Sequence, residues 1–247
     1  MTTYQGKKIV ITGGTSGMGL RTAKYFLDGG ARVLLTGRTP STIEDARGKL
    51  GAEVLTARSD TSVLADTDAL GEQIRAELGS IDLLFVNAGV TQYAPFESTT
   101  EEVYDRLSDI NVKGAYFTVQ KLAPLIADNG AIVFTTSVVN VKGLAGLTVY
   151  SLTKAAVRSM TRTFARELLS RGIRVNAISP GPIDTGILDR SMPAEAAEQT
   201  KAGMKANNPM GRFGTSEEIA KAVAFLGFEA TFTTGAELTV DGGASHL

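Results

Sequence analysis

The 247-residue chain predicts a doubly wound α/β fold, a seven-stranded parallel sheet with helices on both faces. Three observations predict it. Seven short runs rich in Val, Ile and Leu recur between longer amphipathic stretches, the pattern of repeated strand–helix–strand units. The runs are apolar nearly throughout rather than alternating, as strands covered on both faces require. A glycine-rich turn follows the first run and opens a helix, as in sheets that bind ligands at the carboxyl ends of their strands.

Lys7 to Thr12 is the first expected strand, followed by the turn and an amphipathic helix from Leu20 to Asp28. Arg32 to Thr36, Glu53 to Ala57, Leu83 to Val86, Ala131 to Thr136, Arg174 to Ile178 and Glu237 to Val240 complete the set. Helix starts are marked by Ser41 with Glu44, Thr99 with Glu102 and Thr215 with Glu218. In that spacing hydroxyl and carboxylate cap each other's amides. The helix from Tyr150 carries a second stripe, Val157, Thr161, Phe164, Ala165 and Leu168, which belongs either deep in the core or in an interface. Gly186 to Asn208 reads as neither a regular strand nor a packed helix. It leaves the strand edge where ligands bind, which predicts a substrate lid over residues 186–208. With no linker or repeat, residues 1–247 form one Rossmann-type domain.

Composition narrows the function. The chain has no Cys and one His, His246, next to its end. Thiol nucleophiles, zinc-thiolate sites and iron–sulfur clusters are therefore excluded, and no metal site is expected. A Ser-His-Asp triad would need the tail to fold back. Redox chemistry would need a borrowed cofactor. With 25 basic and 26 acidic residues and a net charge of −1, no basic stripe suggests nucleic acid or an anionic membrane. No apolar run reaches the 18 or so residues of a membrane span, and no leader pattern opens the chain, so a cytoplasmic protein is expected.

The turn Thr12-Gly13-Gly14-Thr15-Ser16-Gly17-Met18-Gly19 suits a pyrophosphate. Glycines admit its close approach, and a helix N-terminus offers it free amides and partial positive charge. Gly13, Thr15, Ser16, Gly17, Met18 and Gly19 are the candidates. After the second strand comes Thr36-Gly37-Arg38, with no carboxylate to hold a ribose 2′-hydroxyl. Arg38 instead offers a forked donor suited to a 2′-phosphate, so NADP(H) is expected over NAD(H). Asp60 and Thr61 follow the third strand and Asn87-Ala88-Gly89 the fourth, on the edge where an adenosine would lie. Asp60 suits the adenine amino group, and Ala88 and Gly89 remove bulk beside the ribose.

Ser137 ends the fifth strand, and Tyr150 and Lys154 follow at i and i+4 on one helix face. A ketone accepting hydride becomes an alkoxide and needs a proton. Without His, the available neutral acid is a tyrosine, of ordinary pKa near 10. A neighbouring ammonium favours the phenolate needed in the reverse direction. Ser137 would hold the carbonyl oxygen as charge develops, and Lys154 would also grip the nicotinamide ribose.

With Asn111 in the same order along the chain, these residues resemble the short-chain dehydrogenase/reductase family over essentially the whole length. The family's glycine motif falls on Gly13, Gly17 and Gly19, its Asn-Ala-Gly on Asn87 to Gly89, and its catalytic Asn, Ser, Tyr and Lys on Asn111, Ser137, Tyr150 and Lys154. The resemblance implies that Asn111 anchors a water relaying protons through Lys154. It also implies that Pro180-Gly181-Pro182-Ile183-Asp184-Thr185 holds the nicotinamide carboxamide through Ile183 and Thr185. Members with Arg after the second strand mostly prefer NADP(H), in agreement with Arg38. Many of those also carry a basic residue inside the glycine motif, where this chain has Thr15 and Ser16.

Substrate-pocket candidates are Gln92, Tyr93, Ser137, Val138, Val139, Asn140, Leu144, Leu147, Ile187, Leu188 and Met192. None is a cation, so a charged substrate lacks a clamp. A neutral, partly hydrophobic ketone or secondary alcohol is expected. The runner-up is a 3-oxoacyl-[acyl-carrier-protein] reductase, since the ending Gly235 to Gly243 looks like theirs. Those enzymes usually carry basic residues just before the fifth strand to hold the acidic carrier; here Asp128 lies there instead, and like charges repel. A catalytically silent dinucleotide sensor would lose Tyr150 or Lys154, and a dehalogenase-like lyase would replace the lysine by Arg; both residues are kept. By resemblance the assembly is a homotetramer.

Overall fold

The computed structural model describes residues 3–186, 188–189 and 193–247. Chain order is β1 (Lys8–Ile11), α1 (Gly17–Asp28), β2 (Arg32–Gly37), α2 (Pro40–Leu50), β3 (Leu55–Arg58), α3 (Leu64–Glu77) and β4 (Ile81–Val86). Then come α4 (Glu101–Ser108), α5 (Ala115–Leu122), β5 (Ile126–Thr135), α6 (Thr148–Glu167), β6 (Arg174–Pro180) and β7 (Ile183–Asp184). The chain closes with α7 (Ala194–Ala206), β8 (Gly214–Thr215), α8 (Ser216–Ala224) and β9 (Glu237–Val240). The main sheet is parallel in the order β3-β2-β1-β4-β5-β6-β9. From β1 the chain winds outward to β3, returns, and winds the other way from β4. The reversal leaves a crevice at the carboxyl ends of β1 and β4, where such sheets bind ligands.

Successive strand residues point to opposite faces, which explains why the strands are apolar throughout. Val10, Leu34, Leu84 and Ile132 meet α3, α5 and α6 through Ile74, Leu122 and Val157. Ile9, Val33, Leu83 and Val133 meet α1 and α8 through Phe26 and Val223. All seven expected strands are present, with shifted ends. β3 starts two residues late, and β5 starts five residues early, at Ile126 rather than Ala131. That early stretch, Ile126 to Gly130, includes Asn129 in the left-handed region at φ 64° and a register shift against β4, so it carries no apolar signal.

Three expectations need correction. Ser41 and Glu44 lie inside α2; Thr39 is its N-cap without a side-chain hydrogen bond, and Pro40 opens the helix, its ring already holding a helical φ. At α4 the cap is Thr100, not Thr99; its hydroxyl accepts from the Val103 amide, while Thr99 turns back to the Pro95 carbonyl. The supposed lid contains a regular helix, α7, anchored by fully buried Ala197. Its alanines, lysines and glutamates favour helix intrinsically, yet they leave no apolar stripe to read. Of the two places expected for the second stripe of α6, the core is the one it takes: Val157, Thr161, Phe164 and Ala165 are buried in this chain. The third cap is as expected, with Thr215 and Glu218 forming a reciprocal capping box.

Candidate active site

The crevice is built from the end of β1. The Thr12 hydroxyl accepts from the amides of Asn87 and Ala88, both at 3.0 Å. The Asn87 side-chain amide donates to the carbonyls of Thr12 and Gly13. These bonds hold the turn after β4 against the turn after β1. Gly13 has φ +64°, and a Cβ there would lie 2.8 Å from Ala88 Cα. Gly17 has φ +52° and faces Thr185. Gly19 lines nothing itself: a Cβ would meet the Gly13 carbonyl at 2.4 Å, so this glycine seats α1 beneath the turn.

Between these turns lies a hollow of about 350 Å³. Of the candidate cofactor residues, Gly13, Thr15, Ser16, Gly17, Met18, Arg38, Asp60, Thr61, Asn87, Ala88, Gly89 and Thr185 line it. Arg38 is exposed and makes no ion pair among the described residues. Asp60 is partly engaged, since Oδ1 accepts from the amide and hydroxyl of Ser62. Pro180 and Gly181 lie apart from the hollow. Pro180 pairs with Val240 at the end of β6, and Gly181 lies against Asp241. Ile183 pairs with Gly214 and helps line a smaller hollow with Thr185, Leu188 and Phe213.

Gly89 joins the hollow to the polar cluster behind it. A Cβ at Gly89 would lie 3.1 Å from Asn111 Oδ1 and 3.4 Å from Lys154 Nζ. Lys154 is 5% exposed; its Nζ donates to the Thr135 carbonyl at 2.9 Å and lies 5.7 Å from the centre of the Tyr150 ring. Asn111 sits in a π-helical turn, Asp109–Gly114, between α4 and α5. Its side chain is held at both ends: Oδ1 accepts from the Val90 amide, and Nδ2 donates to the Val90 carbonyl and the Thr153 hydroxyl. Thr153 donates in turn to the Tyr150 carbonyl. Ser137 caps the short turn Val138–Asn140, its Oγ accepting from the Val139 amide at 3.4 Å.

Several of these partners carry no sequence signal. Thr12, Thr36, Val90, Thr135 and Thr153 were not singled out, although the Gly13 amide donates to the Thr36 hydroxyl. The one available cue is that threonines recur at the carboxyl ends of β1, β2 and β5, where a strand would otherwise be apolar.

The pocket candidates scatter. Tyr93 is 68% exposed and covers Gly146, whose Cβ position lies 2.1 Å from the ring. Gln92 is tied to Arg106 at 2.6 Å. Val138 and Val139 are buried. Asn140 donates to Glu237 in β9. Leu144 is exposed and Leu147 half-buried in the loop before α6. Ile187 and Met192 lie outside the described residues.

Comparison with known proteins identifies relatives over the full length. A family model described as enoyl-(acyl carrier protein) reductase matches residues 13–245. The oxidoreductase asL5 of Sarocladium schorii is 36% identical over 245 residues, covering 98% of this chain and 97% of that protein. The 3-oxoacyl-[acyl-carrier-protein] reductase FabG of Thermotoga maritima is also 36% identical, over 247 residues, with 97% of this chain and 98% of that one covered. A solved structure of a double mutant of a Serratia marcescens short-chain dehydrogenase/reductase superposes with a TM-score of 0.89 at 31% identity, covering 98% of this chain and 99% of its own.

Proposed function

We propose, from the premise that this chain belongs to the short-chain dehydrogenase/reductase family of oxidoreductases, that it reduces a neutral, partly hydrophobic ketone, or oxidises the matching secondary alcohol. The observation that carries this reading is the buried Lys154 ammonium, 5.7 Å from the Tyr150 ring and directly behind the glycine-lined hollow.

The hollow suits a dinucleotide in size of approach and in donor set. Two glycines of positive φ bring the backbone close, α1 presents its N-terminus, and Arg38 supplies an uncommitted guanidinium. NADP(H) is favoured over NAD(H), because the end of β2 offers a cation and no carboxylate. When bound, the nicotinamide supplies or accepts the hydride. The protein's residues do the rest. Tyr150 gives its phenolic proton to the oxygen of the reduced carbonyl, or takes it back in the reverse direction. Ser137 donates a hydrogen bond to that oxygen as negative charge grows on it. Lys154, anchored by the Thr135 carbonyl, keeps its Nζ 5.7 Å from the centre of the Tyr150 ring and would grip the nicotinamide ribose. The Asn111 side chain is tied to Val90 and Thr153, so it holds the loop after β4, and one lone pair of Oδ1 is left for the water that the relay proposed through Lys154 needs.

The segment over residues 186–208, which carries α7, would cover the substrate, since it leaves β7 beside Thr185 and the hollow. A second reading, reduction of a carrier-bound 3-oxoacyl group, is supported by the likeness to the Thermotoga maritima reductase. Asp128, which argued against an acidic carrier, is paired with Arg171 at 3.0 Å, so the repulsion it offers is reduced. We further propose a homotetramer.

The test is initial-rate oxidation of NADPH and NADH against aryl ketones, cyclic ketones, β-keto esters and an acyl-thioester mimic. Faster NADPH oxidation with small ketones, abolished by Tyr150→Phe with NADPH binding retained, is the expected result. Turnover confined to the thioester selects the second reading. Retained activity in Tyr150→Phe removes Tyr150 from its role. Arg38→Asp should move preference toward NADH; an unchanged ratio means that the 2′-phosphate is read elsewhere.

A further inference from the structure

We infer that Glu237 is a positioning residue that braces the Ser137 turn against the helix bearing Tyr150 and Lys154; the inference rests on the chemistry proposed for those three. The Glu237 side chain, on β9, is only 12% exposed. The Thr136 hydroxyl shares its one proton between Oε1 and the Ile178 carbonyl, and Oε1 accepts from Asn140 Nδ2 at 2.6 Å. Those two residues bracket Ser137, one before it and one at the far end of its short turn. Its Oε2 lies 3.1 Å from Arg158 Nε. Tyr150, Lys154 and Arg158 are spaced by four on α6, so they share one helix face.

One carboxylate therefore ties both flanks of Ser137 to the third residue of the stripe that begins with Tyr150. A second tie, Lys154 to the Thr135 carbonyl, joins the same helix to the same strand end. Three donors of different kinds, a hydroxyl, an amide and a guanidinium, converge on Glu237, and only an acceptor-only group satisfies all three. The carboxylate also sets the Asn140 amide. The opposite amide rotamer would place Asn140 Oδ1 against Oε1, two acceptors facing each other, so Nδ2 points to Glu237. Oδ1 is left buried without a hydrogen-bond partner among the described residues. The distance between Ser137 Oγ and the Tyr150 hydroxyl decides whether both reach one carbonyl oxygen, and displacement of about 1 Å in such an arrangement costs about 100-fold in rate.

The test uses the full chain and the fastest ketone of the panel above. For Glu237→Gln, Arg158→Ala and the double variant, kcat, KM and NADPH affinity are measured, with Tyr150→Phe as the control. Each single variant is expected to lose about 10-fold or more in kcat with NADPH affinity unchanged, because the glycine-lined hollow is untouched. The double variant should be no slower than the slower single, since both cut one brace. Arg158→Lys should recover part of the loss, and the shape of the pH profile should stay that of the wild type, since the proton donor is the same. Unchanged kcat in both single variants beside an inactive Tyr150→Phe overturns the brace and leaves the role of Tyr150 standing. Losses that add in the double variant and track falling NADPH affinity overturn it too, reducing Glu237 to a general stabiliser. An active Tyr150→Phe removes the chemistry, and the brace with it.

Discussion

A single methyl group probes the centre at the residue scale. The Cβ of Gly89→Ala would sit 3.1 Å from Asn111 Oδ1, an atom that cannot retreat without losing the Val90 amide. It would also touch Lys154 Nζ at 3.4 Å. At 3.1 Å the Asn111 side chain must give by a few tenths of an ångström, while the ammonium at 3.4 Å stays in ordinary contact; we expect this variant to fold normally and to lose about 10-fold in kcat as the loop after β4 shifts beside Lys154, which single-turnover rates check. Gly13→Ala is a different case. There the added carbon would meet backbone, Ala88 Cα at 2.8 Å, at a φ of +64°, so the turn itself must move and NADPH affinity should fall with it. The glycines were legible in the sequence as places of close approach, and Tyr150 with Lys154 as a shared helix face. Their partners were not. Gln92 turns to Arg106 and Asn140 to Glu237, which is 97 residues away. A loop side chain's direction is decided by such distant groups, which no local spacing encodes.

At the scale of elements, sequence signals held where they were local and complete. The Thr215–Glu218 box forms because both halves lie within one turn of α8 and face its first amides. Arg212 beside Glu218, with the Thr215 amide, holds the Glu218 carboxyl down at about 2, from an ordinary 4.5. A lowered carboxyl stabilises the folded chain above its unfolded value, and that contribution is lost as pH falls from about 4.5 toward about 2. Glu218→Gln should therefore melt below wild type at neutral pH, with the gap in Tm narrowing as pH drops below about 4.5; thermal melts between pH 7 and pH 3 measure it. Thr215→Ala, which removes the other half, should cost about 1 kcal/mol. The same spacing misled at Ser41, because Pro40 sets the helix start without a side-chain cap, and at Thr99, where Thr100 one residue on has the hydroxyl in place. α7 was illegible for the opposite reason: it buries little beyond Ala197, so composition rather than periodicity forms it.

For the molecule as a whole, the seven parallel strands and the doubly wound class followed from apolar runs and turn chemistry, but the order of strands and the outer surface of α6 did not. Its Val157, Thr161, Phe164 and Ala165 are buried, which selects the core from the two places that a second stripe allowed. An open surface lies along the same helix, with Phe164 at its floor. A groove of about 640 Å³ runs between α4–α5 and α6, with Val112, Tyr116, Phe117, Met160 and Phe164 along it and Asp109, Lys113 and Glu167 among its polar lining. Tyr116 is 39% exposed there. An apolar strip framed by charge is the form of an association surface, and a face that pairs with its own copy closes by a two-fold axis. We expect the wild-type chain to run larger than a monomer in light scattering coupled to size exclusion, and Tyr116→Asp to run smaller, since a carboxylate at the centre of such a strip would be buried without a partner. A wild-type monomer at micromolar concentration ends the oligomer proposal; an oligomer that Tyr116→Asp leaves intact moves the interface elsewhere. The site gives a further consequence. α6 carries Tyr150 and Lys154 on one flank and lines this groove with another, so the separated protomer should keep whatever affinity for NADPH the oligomer shows, the proposed cofactor hollow being built from α1 and the β1 and β4 turns, while melting at lower temperature and turning over more slowly.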